Sequence, residues 1–292
     1  MGELGPERTW KLLSEVWPDA FAPGAYPAPS AAVAEIARRL PQLCPGCGHR
    51  SAFHAVRRAI GKDDITVADI GCHSMGYMPP YNMGQVLFCM GHATATASGL
   101  ALHNPDRKVI AFMGDSTFFH AALPGVVNAI VRNHDITFVL LENGTTAMTG
   151  HQPRAGSGEI GERIPLVTLF ETLGAKFVRD IDAYAQPKLV EALKEAIAFP
   201  GFAVVIARHP CMLKFMRDQR AKRPGFHPAQ VRVDPSMCDR LHVCVGEFGC
   251  PSFILHEDGS VTVHEDLCIG DGSCLQTCPV HAIVRPQAEA AP

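Results

Sequence analysis

The chain has 292 residues, 47% of them hydrophobic, and a formal net charge of -3. That length gives one large α/β domain with attachments, or two modest domains, with apolar content enough for a sizeable core. The charge supplies no general basic field for nucleic acid, and no apolar run approaches the roughly 20 residues of a membrane span.

The opening "MGELGPERTW" lacks a basic region followed by an apolar one, so no signal peptide is expected and the protein reads as cytoplasmic. Eleven cysteines then stand out. In a reducing compartment, clustered thiols bind metal or act in catalysis more often than they form disulfides.

Residues 1–40 read as an N-terminal arm, with "PGAYPAPS" (23–30) as a Pro-rich connector between two weakly amphipathic stretches. From 41 to 215 the pattern alternates. Apolar, β-rich runs occur in "DITVADIGC", "RKVIAFMGD", "DITFVLLEN", "AKFVRDI" and "GFAVVIARH". Helical patterns separate them: "HRSAFHAVRRAIG", "GHATATASGLALH", "HAALPGVVNAIVRN" and "PKLVEALKEAIAF". Near-continuous apolar strands alternating with helices predict an α/β fold, a parallel sheet with helices on both faces. Such sheets bind ligands at the carboxyl ends of their strands. Cys72, Asp115 and Asn143 each follow a strand closely, and Cys211 comes shortly after another, which predicts one site.

Residues 145–163 form a long Gly-rich loop of the kind that is functional or mobile. The basic, Pro-containing stretch 216–233 reads as a linker. Residues 234–286 hold two cysteine segments that form an internal repeat, each ending in Cys-Pro, and 287–292 are a tail.

Asp115 sits where an apolar strand ends, and a buried carboxylate needs a partner. It has two readings. It caps the next helix, as Asp commonly does. Or it binds a cation with Asn143, separated from Ser116 by 26 intervening residues at the end of the next strand, and with a loop carbonyl at Thr145. Such oxygens suit Mg²⁺, which completes its shell with phosphate oxygens and water. Gly114 and Ser116 would let backbone N–H groups approach a diphosphate. The spacing at two strand ends favours the cation.

Gly114-Asp115-Ser116 with Asn143 resembles the thiamine diphosphate motif. Together with "LCPGCGHR", "DIGC" and "NGTTAMTGHQ", it resembles the thiamine diphosphate-binding subunit of the 2-oxoacid:ferredoxin oxidoreductase family. "DIGCHSMGYMPP" and "TTAMTGHQ" are most like its indolepyruvate/aryl 2-oxoacid (phenylglyoxylate) branch. The likeness covers about residues 40–285. The motif often ends Asn-Asn, whereas this chain has Glu142-Asn143.

The resemblance implies thiamine diphosphate and Mg²⁺ held at Gly114, Asp115, Ser116, Asn143 and Thr145. It implies one proximal [4Fe–4S] cluster on Cys44, Cys47, Cys72 and Cys211. Zinc has the same ligand count, and the C-x-x-C motif leaves both open. His73, Ser74 and His92 are candidate catalytic residues near the reacting carbon. Cys89 reads as a small core residue, and His151 and Gln152 are weaker loop candidates.

The C-terminal repeat resembles a two-cluster ferredoxin, with departures. Its second half reads Cys268, Asp271, Cys274, Cys278; its first reads Cys238, Leu241, Cys244, Cys250. Crossed pairing gives one set of Cys268, Cys274, Cys250 and Asp271, and another of Cys238, Cys244 and Cys278, with His242 next to the Leu241 gap. One or two C-terminal clusters follow, or none if the segment is degenerate.

The implied activity is oxidative decarboxylation of an aryl 2-oxoacid to an acyl-CoA. Electrons leave through iron–sulfur clusters to ferredoxin or to an NAD-linked flavin subunit. A partner subunit or fused neighbour supplies the pyrimidine-binding domain and its glutamate, so the chain alone is expected to be inactive. Two other readings stay open: a non-oxidative 2-oxoacid decarboxylase subunit, and an electron-transfer subunit without its own catalysis.

Overall fold

Five apolar runs become five parallel strands: β1 (Ile65–Ala68), β2 (Val109–Gly114), β3 (Thr137–Glu142), β4 (Phe177–Asp182) and β5 (Ala203–Arg208). The structure, a computed structural model, describes residues 5–22 and 40–286. The Pro-rich connector at 23–30 and the tail at 287–292 lie outside the described residues.

The sheet order is β1-β2-β3-β5-β4. Neighbouring residues on the central strands face opposite cores, which is why those strands are apolar throughout. Ile110, Phe112, Val139 and Leu141 face one core; Ala111, Met113, Phe138 and Leu140 face the other. Phe112 and Phe138 are wholly buried, each stabilising the fold by about 1.5–3 kcal/mol. Helix α2 (Gly48–Arg57) and α7 (Gln186–Ala198) cover the first face. Helices α3 (Ala93–His103), α5 (Leu123–Val131) and α6 (Leu166–Thr172) cover the second. Asp115–Thr117 begins a short helix, α4, and Phe118–Ala122 forms a π-helical turn before α5. π-turns often occur next to functional groups, and this one starts three residues after Asp115.

Residues Met1–Leu40 and Pro41–Pro292 are two separate units. In the first, α1 (Pro6–Val16) packs Trp10 edge-on against Phe21 at 5.2 Å. In the second, the cysteine repeat shares one unit with the α/β sheet. Its own core is Val231, Phe248, Phe253, Val261, Cys274 and Ile283. It contains two small antiparallel sheets, β6 (Arg232–Val233) with β9 (Ile283–Val284), and β7 (Phe253–Leu255) with β8 (Val261–Val263).

The expected linker at 216–233 is corrected at both ends. Helix α8 runs Met212–Lys222, and β6 takes the last two residues. The basic composition was read as a solvated connector, but a helix carries exposed basic side chains equally well.

Arg50 holds the α/β region and the cysteine repeat together. It is 1% exposed. Its guanidinium donates to Leu43 O, to Cys44 O at 3.1 Å, to Tyr81 Oη at 3.0 Å and to Gly249 O. The Tyr81 hydroxyl donates to Phe248 O at 2.6 Å. Gly46 has φ +67°, and a Cβ there would lie 2.5 Å from Ile269 Cδ1 and 3.1 Å from Asp271 Cγ. The Cys44–Cys47 turn thus lies against the cysteine repeat, at a point that only glycine fits.

Arg50→Met removes the donor that Leu43 O and Gly249 O share. It is expected to cost about 3 kcal/mol in urea unfolding and to speed proteolysis between Arg223 and Val231. An unchanged midpoint and unchanged cleavage would contradict the bridging role.

Candidate active site

Three strand ends line one cavity of 160 Å³. Gly71, Cys72 and His73 come from beyond β1, Asp115 from beyond β2, and Asn143 and Thr145 from beyond β3. Asp115 is 1% exposed. Its Oδ1 accepts from Ser116 N at 3.0 Å and its Oδ2 from Gly144 N at 2.9 Å. The cap of α4 is Gly114, so Asp115 is not an ordinary N-cap. Asn143 Oδ1 accepts from Thr145 N at 3.0 Å, which orients the amide. Ser116 Oγ and Thr146 Oγ1 are 2.7 Å apart. A buried carboxylate and an amide oxygen on one cavity wall fit a hard cation.

An arginine that the sequence did not point to also meets Asp115. Arg154 is 3% exposed, donates Nε to Asp115 Oδ2, and donates Nη2 to Glu142 Oε1 at 3.0 Å. Arg208 bridges Glu142 to Asp180. Burial pushes Asp115 and Glu142 above the usual carboxylate range, and the arginines oppose it. The signal available in sequence was Glu142 itself, an extra acid beside the motif that needs a buried cation.

A second cavity, of 340 Å³, is lined by Cys44, Cys47, Cys72 and Cys211. The four come from one turn and two strand ends, up to 167 positions apart in sequence. Burial pushes Cys47 up to about 12 and Cys72 up to about 11, and also raises Cys44. The charge of Cys211 raises Cys44 and Cys72 further. A bound metal cation would favour the thiolate form of Cys47 and Cys72. Among the described residues, no three His, Cys, Asp or Glu side chains close around a single ion. The four thiols line one cavity, and soft thiolate donors of this number suit a metal or a cluster.

The two cavities share a wall. His49, Cys72, Asn143, Ala147 and Met148 line both. His49 was missed in the sequence, although it follows the C-P-G-C-G motif directly. His49 and His73 stack edge-on at 6.3 Å, 5% and 1% exposed. Burial lowers His49 to about 4 and His73 to about 3, with His49 adding to the second shift. His73 Nε2 is buried without a hydrogen-bond partner.

Ser74 and His92 line neither cavity. His92 is the N-cap of α3, and its two ring nitrogens meet Phe88 N at 3.0 Å and Thr96 Oγ1 at 2.9 Å. It holds its own loop. Cys89, expected in the core, is exposed. His151 Nε2 is 3.5 Å from Cys211 Sγ, while Gln152 is exposed.

In the repeat, the charges of Asp271, Cys250 and Cys268 add to burial in raising the Cys274 thiol. Burial raises Cys244 to about 11, and Cys238 and Cys278 add to it. Cys250, Cys268 and Asp271 thus act on Cys274, and Cys238 and Cys278 on Cys244. Asp271 also lies beside Gly46 and Tyr184, whose hydroxyl donates to Gly46 O at 2.6 Å. Burial, then Asp271, raises the Tyr184 phenol. Leu241 is 66% exposed, and neighbouring His242 has Nε2 2.9 Å from Gly259 O.

Residues 69–207 match the thiamine pyrophosphate enzyme C-terminal TPP binding domain, and 261–284 match the 4Fe-4S binding domain. The chain is 37% identical over 253 residues to indolepyruvate oxidoreductase subunit IorA of Archaeoglobus fulgidus, covering 84% of this chain and 40% of that one. It is 38% identical to the IorA of Methanothermobacter marburgensis, covering 87% and 41%. It therefore spans about two fifths of the length of these curated relatives. Among solved structures, 2-oxoglutarate:ferredoxin oxidoreductase from Magnetococcus marinus, with 2-oxoglutarate, coenzyme A and succinyl-CoA bound, is 25% identical with a TM-score of 0.55. That match covers 64% of this chain and 79% of the other. Among the described residues no helix is long and apolar enough to cross a membrane.

The two buried histidines set an acid limit. The unfolded chain protonates them near the ordinary 6.5, while the fold keeps them neutral to about 4 and about 3. Their contribution is complete above that unfolded value and is lost as pH falls below it. In protein freed of metal, urea unfolding is expected to show a loss of about 2–3 kcal/mol per histidine by pH ~4.5. His73→Gln should remove its share; an unchanged pH slope in that variant would contradict the assignment.

Proposed function

We propose, for a chain that belongs with the thiamine diphosphate-binding subunits of the 2-oxoacid:ferredoxin oxidoreductase family, that it is the catalytic subunit of an aryl 2-oxoacid oxidoreductase. Thiamine diphosphate supplies the electron sink for decarboxylation when bound. Asp115, Asn143 and the Thr145 carbonyl hold Mg²⁺, and Gly114 and Ser116, which line the same cavity, lie against the diphosphate. Cys44, Cys47, Cys72 and Cys211 hold the proximal [4Fe–4S] cluster. The product is an acyl-CoA.

The observation that carries this reading is the common wall of the two cavities. Cys72 belongs to both, so electrons released beside His49 and His73 have a cluster ligand next to them. His73 and His49 are neutral and face the cavity, which suits them to exchange a hydrogen bond with the substrate oxygen. Ala147 and Met148 are the apolar members of that wall.

Onward transfer runs through the Cys44–Cys47 turn. Gly46 lies against Asp271, so the set of Cys250, Cys268, Asp271 and Cys274 is next in line. The set of Cys238, Cys244 and Cys278 follows, with a weaker complement of ligands. The working boundaries are 41–215 for the cofactor domain and 234–286 for the ferredoxin-like domain. A partner subunit or fused neighbour brings the pyrimidine-binding domain and its glutamate, since the described residues contain one parallel α/β sheet. Ferredoxin or an NAD-linked flavin subunit is the acceptor, and the complex works in the cytoplasm.

Iron and acid-labile sulfide, measured on the complex purified without oxygen, test this directly. Three clusters give about eleven or twelve irons per chain, and Cys211→Ser removes about four. The complex should then reduce a viologen dye with an aryl 2-oxoacid only when coenzyme A is present, and the single chain should not. Zero iron with release of free aldehyde would replace this reading with non-oxidative decarboxylation.

A further inference from the structure

Asp115 and Glu142 share one guanidinium. Gly114 lies opposite Leu141 in the register, so Asp115 and Glu142 follow side by side at the ends of adjacent strands. They are 1% and 7% exposed. Arg154 enters from the Gly-rich loop and forks onto both, with Nη1 donating to Ala155 O at 2.8 Å and the guanidinium 5.2 Å from the Phe119 ring centre. Glu142 keeps a second cation, Arg208, which it shares with Asp180. Three carboxylates against two guanidiniums leave a formal charge of -1, which becomes -2 without Arg154.

The atom that Arg154 engages is Asp115 Oδ2. The other oxygen, Oδ1, already accepts from Ser116 N. Oδ2 also accepts from Gly144 N, so a divalent ion would bind at Oδ1 and must share the charge of this one buried carboxylate with Arg154. We infer that Arg154 is the resident counter-cation of the metal site: it competes with Mg²⁺ for Asp115, sets the site's affinity for divalent ions, and falls back on Glu142 when the ion binds. This rests on reading Asp115 as the metal ligand.

The inference assigns opposite signs to two neighbouring variants. Arg154→Met removes the competitor and makes the site more negative. Glu142→Gln removes the second anchor, leaves the guanidinium to Asp115, and makes the site less negative. A merely structural role predicts loss in both.

The experiment is calorimetric titration with Mg²⁺, checked by Mn²⁺ paramagnetic resonance, on the full chain in its native assembly without thiamine diphosphate. Wild-type protein should bind, and Asp115→Asn should not. Arg154→Met should bind about tenfold more tightly, and Glu142→Gln about tenfold more weakly. Arg154→Lys, which keeps one charge but cannot fork onto two carboxylates, should tighten binding by a smaller factor and serves if the methionine variant does not fold. If Asp115→Asn binds like wild type, the reading of Asp115 falls and the inference with it. If Asp115→Asn abolishes binding while the Arg154 and Glu142 variants both weaken it, or leave it unchanged, the inference alone is overturned.

Discussion

The wall between the two cavities is the constraint on which the rest of the molecule depends. Cys72 must line the thiol cavity while its neighbours Gly71 and His73 line the other. The sheet makes this possible. The order β1-β2-β3-β5 sets their carboxyl ends in a row, and those ends lead to Cys72, Asp115, Asn143 and Cys211 in turn. A parallel sheet puts all such ends on one edge, so one edge can host both a cofactor and its electron acceptor. His49 closes the wall from α2, which Arg50 ties to the Cys44 loop and to the cysteine repeat.

Charge follows the same edge. Buried carboxylates and buried thiols are both penalised by desolvation, and both are relieved by cations. On the carboxylate side, Arg154 and Arg208 supply them from within the chain. On the thiol side, Cys47 and Cys72 are held near 12 and 11 by burial, with Arg50 opposing the shift at Cys47. Metal binding there releases protons and stabilises the fold at once.

All five strands and most of the flanking helices were legible because both sheet faces are buried, which writes near-continuous apolar runs into the sequence. The adjacency of Asp115 and Asn143 was legible for the same reason: a single helix-containing crossover joins β2 to β3. Other features depend on where loops travel. Arg154 lies in a loop with no periodicity, so nothing local reveals that its side chain turns inward to two strand ends. The joining of Cys44 and Cys47 to Cys72 and Cys211 came from family resemblance, since long-range convergence leaves no local pattern. Ser74 was placed near the reacting carbon because it follows Cys72, and His92 because it follows Gly91 at a helix start, yet His92 spends both nitrogens on its own loop. Helix α8 was hidden by its charge, and Cys89 was assigned to the core from apolar neighbours that themselves proved exposed, among them Phe88 at 72%.

The central claim is that electrons leave the cofactor cavity through the thiols of the adjoining one. The most direct measurement is freeze-quench paramagnetic resonance of the assembled complex carrying Cys274→Ser, mixed anaerobically with an aryl 2-oxoacid. The account predicts a reduced cluster signal that appears with substrate in this variant and is missing when Cys72→Ser is added. A signal that survives the loss of Cys72, or one that needs Cys274, would contradict it.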